Sequence, residues 1–205
     1  MGIFSHEKTF ASSSTLRAGL TSGFCGVLTS YSGWVYSSLK QSADNAASDI
    51  LCGLSLPFMA YIVGRDVCNI LGEEISKSFS YGLGILLLLS PVIIYPLLPS
   101  LFDMSTILFA IAGCLARFAF TKILNNDIFP FGTLLSNLIA CVVVILLSEN
   151  AAVKDGFCGG LSTVSLFVHE IFTLRTNGHT LKLWLYLLSS LGACAAILVI
   201  IDAFR

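Results

Sequence analysis

Residues 23–32 read GFCGVLTSYS, and residues 156–165 read GFCGGLSTVS. The two decapeptides are identical at six positions and lie 133 residues apart. At a further position Thr29 is matched by Ser162, so a hydroxyl is kept although the residue changes. Self-similarity at a fixed offset indicates an internal repeat, which bears on the whole architecture. Two copies of one structural unit are therefore predicted.

The amino-acid composition is that of a membrane protein. Hydrophobic residues make up 56% of the 205 residues and charged residues 11%, whereas soluble domains carry about 25% charged residues. The net charge of −1 offers no basic surface for nucleic acid, so that class of partner is excluded. The seven cysteines contain no CxxC pair and are predicted to be small buried residues.

Seven apolar segments are predicted to cross the lipid bilayer as helices, which makes the chain an all-α integral membrane protein. They cover residues 16–39, 50–71, 80–102, 105–124, 130–148, 156–174 and 181–204. A polar tail, residues 1–15, precedes them, and the polar stretch GEEISKS at 72–78 is predicted to separate the second segment from the third.

The decapeptides lie in the first and sixth segments, five crossings apart. Because five is odd, the two copies are predicted to run in opposite directions. Such an inverted-topology repeat places functional sites near the midplane, where the repeats meet. Both copies are rich in Gly, Ser and Thr, so each is predicted to be a helix that is broken inside the protein.

Lysine and arginine are distributed unequally between the two sides of this topology. The side of the N-terminus has seven and the other side three: Lys8, Arg17, Arg65, Lys77, Lys122, Arg175 and Lys182 against Lys40, Lys154 and Arg205. Because cytoplasmic loops carry the positive excess, the N-terminus is predicted in the cytoplasm and the C-terminus outside.

Several polar side chains inside apolar segments are candidates for function. Arg117 either snorkels to the interface or anchors a buried polar site that attracts an anion. Thr133 and Asn137 share one helix face. The Asn137 amide either bonds a neighbouring helix or presents its NH₂ group to a permeating anion.

Tyr186, Ser190 and Cys194 follow at i, i+4 and i+8, which makes a ladder of weak donors on one helix face. Core packing would also explain the two small residues, but it explains the tyrosine less well. The pair His169-Glu170 is predicted to lie at a helix end in the interface. No catalytic motif or intramembrane carboxylate pair is evident, so an enzyme is not expected.

In this order, these elements resemble those of the Fluc-type fluoride channels and their fungal and plant relatives, the fluoride exporters. AGCLARF, FGTLLSN, GFCGGLSTVSLF and LYLLSS resemble, in turn, the family's first-helix Arg, its G-T-x-x-x-N motif, its broken third helix and its Tyr/Ser track. The resemblance implies a fluoride-selective channel that exports fluoride passively across the plasma membrane and gives fluoride resistance. The implied partners are fluoride ion and the lipid bilayer.

The resemblance also implies a domain organisation, because eukaryotic members join two four-helix domains, the second inverted, by a linking helix. Residues 16–79 resemble the third and fourth helices of a first domain, residues 80–104 the linking helix, and residues 105–205 a complete second domain. The first domain's first two helices are then missing, and self-association is expected where they are not supplied within the chain.

The resemblance assigns functional residues by position. The fluoride pore is implied at Asn137, Thr133, Tyr186, Ser190, Tyr31, Trp34, Phe167 and Arg117. A structural sodium ion is implied on the backbone carbonyls of Gly26, Thr29, Gly159 and Ser162, and bulky replacement of Gly26 or Gly159 is expected to keep the two breaks apart. Val164 replaces a usual Phe, and Cys194 replaces a hydroxyl of the track.

Two alternatives remain open on the sequence. One is an inactive or truncated structural remnant of such a channel. The other is an inverted-repeat secondary transporter of small anions, which would require an intramembrane carboxylate. No such carboxylate is evident in residues 105–205.

Overall fold

The computed structural model describes Cys25 and residues 29–97, 103–126 and 129–203. The helices are α1 Tyr31–Leu39, α2 Ala43–Leu97, α3 Met104–Leu124, α4 Phe131–Leu146, α5 (a π-helix Ala152–Cys158 continued by Gly159–Leu161), α6 Val164–Thr176 and α7 Thr180–Ala203. Within these ranges four helical stretches are long and apolar enough to span a membrane: Asp44–Val67, Met104–Leu124, Ala152–Thr176 and Thr180–Ile201. The prediction of an all-α multi-pass membrane protein is confirmed.

Helix α2 differs from its prediction, because one helix of 55 residues runs through the expected break at 72–78. The stretch GEEISKS contains Glu and Lys, which are good helix formers, and no proline. Polarity alone therefore does not end a helix, and the predicted end between residues 71 and 80 is wrong. The assignment of residues 80–104 as a separate linking helix stays a prediction.

The predicted break in the second decapeptide is confirmed. Helix α5 ends at Leu161, Ser162 and Thr163 have extended backbones, and α6 begins at Val164. Thr163 caps α6, since its Oγ1 accepts the Leu166 N–H at 3.2 Å. The segment begins at Ala152, four residues before its predicted start.

The first decapeptide begins α1 in the same way. Ser30 is extended, and its Oγ accepts the Gly33 N–H at 3.1 Å. Ser30 and Gly33 are the repeat equivalents of Thr163 and Leu166. Residues 26–28, where the preceding helical turn is expected, lie outside the described residues.

The two breaks meet through reciprocal hydrogen bonds. The Ser165 N–H donates to Thr29 Oγ1, and the Ser32 N–H donates to Ser162 Oγ, both at 3.1 Å. Ser165 is the repeat equivalent of Ser32, and Ser162 that of Thr29. Reciprocal contacts between equivalent residues are produced by a two-fold axis. The copies therefore pack as a pseudo-symmetric pair, and their opposite direction across the membrane stays a prediction.

Helix α3 begins at the capping residue Asp103, which lies before the apolar span. Its carboxylate accepts the backbone N–H and the hydroxyl of both Ser105 and Thr106. The hydrogen bonds from the Ser105 hydroxyl and then the Thr106 hydroxyl lower the pKa of Asp103 below its usual value. The helix start is thus fixed next to the membrane interface.

Glycines let α3 and α5 approach backbone to backbone. A Cβ added at Gly160 would lie 2.3 Å from Ala110 O, and one at Gly113 would lie 2.2 Å from Phe157 O. A Cβ at Gly159 would meet no atom of another described residue within 4 Å. The close approach of α3 and α5 is therefore at Gly160. The predicted meeting of the two breaks at Gly26 and Gly159 stays a prediction, because Gly26 lies outside the described residues.

Gly160→Ala is expected to destabilise the fold by about 3 kcal/mol or more, because the methyl group would collide with backbone that cannot rotate away. Gly159→Ala is the matched control, and it should be neutral or stabilise the helix by up to about 1 kcal/mol. The thermal unfolding midpoint and the monodisperse fraction in detergent measure both. Equal stability of the two variants would contradict the packing of α3 on α5.

Candidate functional site

Two polar ladders face each other in the core. Thr133, Asn137 and Cys141 lie at i, i+4 and i+8 on α4, and Tyr186, Ser190 and Cys194 at the same spacing on α7; all six are 0% exposed. These six side chains are called the α4–α7 seam. A helix that places three polar groups on one buried face must satisfy them there, because lipid offers no partner. The ladder predicted on α7 is confirmed, and the one on α4 extends one turn further than expected.

The ends of the seam show that α4 and α7 run in the same direction. At one end Thr133 and Tyr186 both bond to Glu170. At the other end the sulfur atoms of Cys141 and Cys194 are 3.0 Å apart. Both ladders advance by eight residues between these ends, about 12 Å at 1.5 Å per residue.

Glu170 lies six residues before the end of α6, inside the apolar stretch Ala152–Thr176, so it is not at the helix end that was predicted. Its position in the membrane interface stays a prediction. Its carboxylate accepts three hydrogen bonds. The donors are Thr133 Oγ1 at 2.5 Å, Tyr186 OH at 2.6 Å and Asn125 Nδ2 at 2.8 Å. One carboxylate therefore links α6 to α4, to α7 and to the residue that follows α3. Residues 105–205 thus contain a carboxylate within a stretch long and apolar enough to span a membrane.

Asn137 holds the break between α5 and α6. Its Oδ1 accepts the Thr163 N–H at 2.8 Å, and its Nδ2 donates to Thr163 O at 3.3 Å. The amide thus replaces backbone partners that Thr163 loses where the helix stops. Nδ2 carries a second N–H, so the amide can hold the break and still donate to a ligand.

Arg117 is buried, at 1% exposed, rather than snorkelling to the interface. Its guanidinium donates to Ser162 O at 3.4 Å and to Cys114 Sγ at 3.5 Å. It therefore brings a positive charge to the carbonyl next to the break. This is the anchoring alternative of the sequence analysis.

The aromatic residues predicted for the pore come together beside the seam. The Tyr31 ring packs edge-on against Trp34 and Phe167, with centroids 5.7 and 5.6 Å away. Phe167 continues to Tyr186 at 5.2 Å. Trp34 also reaches α2, because its Nε1 donates to Asp49 O at 3.2 Å. Val164, the replacement for the usual Phe, is buried and donates its N–H to Thr29 O.

Two of the carbonyls predicted to hold sodium, those of Thr29 and Ser162, have other partners. Thr29 O accepts the Val164 N–H at 3.1 Å, and Ser162 O faces the Arg117 guanidinium. A positive charge so close repels a cation at Ser162. Gly26 lies outside the described residues. The carbonyls of Thr29 and Ser162 do not fit a ready cation site, and the sodium ion stays a prediction from the resemblance.

Known proteins are similar in sequence to the region from α3 to α7. Residues 104–201 match the family model described as CrcB-like protein, Camphor Resistance (CrcB). The fluoride-specific ion channel FluC of Pyrococcus abyssi is 39% identical over 103 residues, which cover 43% of this chain and 78% of the relative. The chain belongs to the CrcB-like family. FluC of Chlorobium phaeobacteroides is 33% identical over 93 residues. These residues cover 38% of this CrcB-like chain and 73% of the relative.

A longer fungal relative extends over more of the CrcB-like chain. Fluoride export protein 1 of Candida albicans is 28% identical over 218 residues, covering 77% of this chain and 54% of the relative. The CrcB-like chain thus spans about half the length of that protein. No solved structure gives a significant match.

Sequence reasoning missed three polar residues of this CrcB-like site. Glu170 carried a signal, since an ionisable residue four positions before the end of an apolar segment is a functional candidate by default. Cys141 continued the ladder of Thr133 and Asn137 by one more turn. Asn125 gave no signal, because it follows α3 and reaches Glu170 only through the chain reversal before α4.

Proposed function

We propose that this chain forms a fluoride-selective channel whose ion pathway is the α4–α7 seam. Fluoride moves through it passively and leaves the cell, which gives fluoride resistance. An inside-negative membrane potential drives an anion outward with about 2.3 kcal/mol per charge per 100 mV. The names of the relatives, fluoride-specific ion channel and fluoride export protein, support the choice of ion.

The observation that carries this proposal is a pair of buried hydroxyls without a partner. Tyr31 OH and Ser190 Oγ have no hydrogen-bond partner among the described residues, although both side chains are 0% exposed. Leaving such a group unsatisfied costs about 1–3 kcal/mol. A small anion accepts hydrogen bonds and donates none, so it satisfies donors for which the protein offers no acceptor.

Uncharged hydrogen-bond donors suit fluoride, a strongly hydrated ion that must be released from the pathway after it binds. Asn137 and Ser190 carry no full charge, so they replace water around the anion without trapping it. The rings of Tyr31 and Phe167 lie beside these donors and can offer positive edges to an anion. Arg117 adds a buried positive charge near the break, which lowers the cost of bringing an anion there.

Ser190→Ala tests the pathway in purified protein in liposomes loaded with fluoride. One lost hydrogen bond of about 1 kcal/mol should slow efflux several-fold, up to about ten-fold. Ser189→Ala is the matched control, because Ser189 Oγ bonds to Tyr186 O of its own helix. A fluoride electrode measures efflux. Absence of efflux in the unchanged protein would favour the inactive remnant, and equal rates in both variants would remove the seam from the pathway.

Glu170 favours one rival function, a secondary transporter of small anions coupled to protons. A buried carboxylate is the group that such a transporter protonates and deprotonates. Here, however, the carboxylate accepts three hydrogen bonds from other parts of the chain, so its role is to link the helices. Efflux that follows an imposed pH gradient would support the transporter instead of the channel.

The proposal extends to location and domain organisation. We place the channel in the plasma membrane with a cytoplasmic N-terminus, supported by Lys122, Arg175 and Lys182 at one end of α3, α6 and α7 and only Lys154 at the start of α5. Residues 105–205 form the four-helix channel domain, supported by the family match over 104–201. Residues 16–79 contribute Tyr31 and Trp34 to its pathway.

A further inference from the structure

We propose that Cys141 and Cys194 are an oxidation site, where a reversible disulfide joins α4 to α7 and closes one end of the seam. The closing of ion flow rests on the proposed channel function. The formation of the bond does not.

The two thiols are already placed for a bond. Both are fully buried, they lie on different helices and 53 residues apart in sequence, and their sulfur atoms are 3.0 Å apart. A disulfide needs about 2.05 Å, so the sulfurs must approach by about 1 Å. Held so close, the pair reacts as if each thiol were at very high concentration.

Polar molecules of about the size of water are expected to bind in this part of the core. Tyr31 belongs to the same buried cluster as Cys141 and Cys194, and Ser190 lies one turn before Cys194. The hydroxyls of Tyr31 and Ser190 have no protein partner among the described residues. When no ion is bound there, buried hydroxyls of this kind are satisfied by water. Hydrogen peroxide is uncharged and close to water in size, so we name it as the oxidant.

The reaction has two steps. One thiol displaces hydroxide from hydrogen peroxide, so that an S–O bond forms as the O–O bond breaks, and the thiol proton leaves with the hydroxide as water. The second thiol then attacks the sulfenic sulfur, the S–S bond forms, and a second water leaves. Overall two thiols give up two protons and two electrons, and one hydrogen peroxide becomes two waters. A dithiol reductant reverses the bond by thiol–disulfide exchange.

The bond acts on the two helices that carry the pathway. Asn137 lies one turn before Cys141, and Ser190 one turn before Cys194. Drawing the sulfurs together by about 1 Å therefore narrows the seam next to both donors. The cross-link also prevents α4 and α7 from separating at this end.

Hydrogen peroxide added to the full chain in liposomes tests the site. We expect proteolytic fragments linked through Cys141 and Cys194, a higher thermal unfolding midpoint, and loss of most fluoride efflux, all reversed by dithiothreitol. Cys194→Ser should prevent all three changes. Cys52→Ser, an exposed position on α2, should leave them intact.

The outcomes separate this inference from the channel proposal. Absence of the linked fragments, or the same loss of efflux in Cys194→Ser, overturns the oxidation site. Linked fragments with unchanged efflux overturn the closing of the seam. If the reduced protein moves no fluoride at all, the channel proposal fails, while the linked fragments and the thermal shift still decide whether the disulfide forms.

Discussion

Asn137→Ala is expected to abolish fluoride efflux from liposomes and fluoride tolerance in a fluoride-sensitive yeast strain. The substitution removes a donor from the middle of the seam, so a dehydrated anion would lose a partner there. It also leaves the Thr163 N–H, now held at 2.8 Å by Oδ1, buried without an acceptor. That second effect should destabilise the protein by about 1–3 kcal/mol.

Two further variants separate conduction from folding. Asn137→Asp keeps an acceptor for the Thr163 N–H but puts a negative charge in the seam, so the protein should fold and still not conduct fluoride. Ser136→Ala is the matched control, because Ser136 is equally buried yet bonds to Thr133 O of its own helix. Normal efflux in Asn137→Ala would mean that fluoride does not pass Asn137.

The broken helix was predictable because its sequence pattern occurs twice in the chain. GFCGGLSTVS has glycines and hydroxyls where an apolar helix needs neither, and its copy at 23–32 shows that the composition is not accidental. Periodicity also predicted the faces of Thr133 with Asn137 and of Tyr186 with Ser190. These are local properties, set by helix geometry within a few residues.

Contacts between distant elements were not predictable in the same way. Polarity at 72–78 indicated a break, but helix propensity prevailed and α2 continues. The hydrogen bonds of Glu170 were not predicted, because its donors, Asn125, Thr133 and Tyr186, come from three other parts of the chain. Spacing along one helix reveals which side chains share a face, and it does not reveal what that face meets.

Glu170→Ala is expected to be among the most destabilising single substitutions in the chain. It would leave the Thr133 hydroxyl, the Tyr186 hydroxyl and the Asn125 amide without their common acceptor. Thr133 and Tyr186 are fully buried, and each buried donor left unsatisfied costs about 1–3 kcal/mol, so several kcal/mol should be lost from the network. The thermal unfolding midpoint in detergent measures the loss. Glu149→Ala, an exposed carboxylate, is the matched control.

Glu170→Gln then decides between channel and transporter. The amide keeps an acceptor oxygen and nearly the same shape, but it cannot exchange a proton at any physiological pH. If the protein is a channel in which Glu170 only links helices, the Glu170→Gln variant should still fold. It should also still pass fluoride, with or without an imposed pH gradient. A proton-coupled transporter would lose gradient-driven fluoride movement in this variant while remaining folded. Because the variant has no carboxyl group to exchange a proton, folded Glu170→Gln protein that conducts as before makes coupling through this carboxylate untenable.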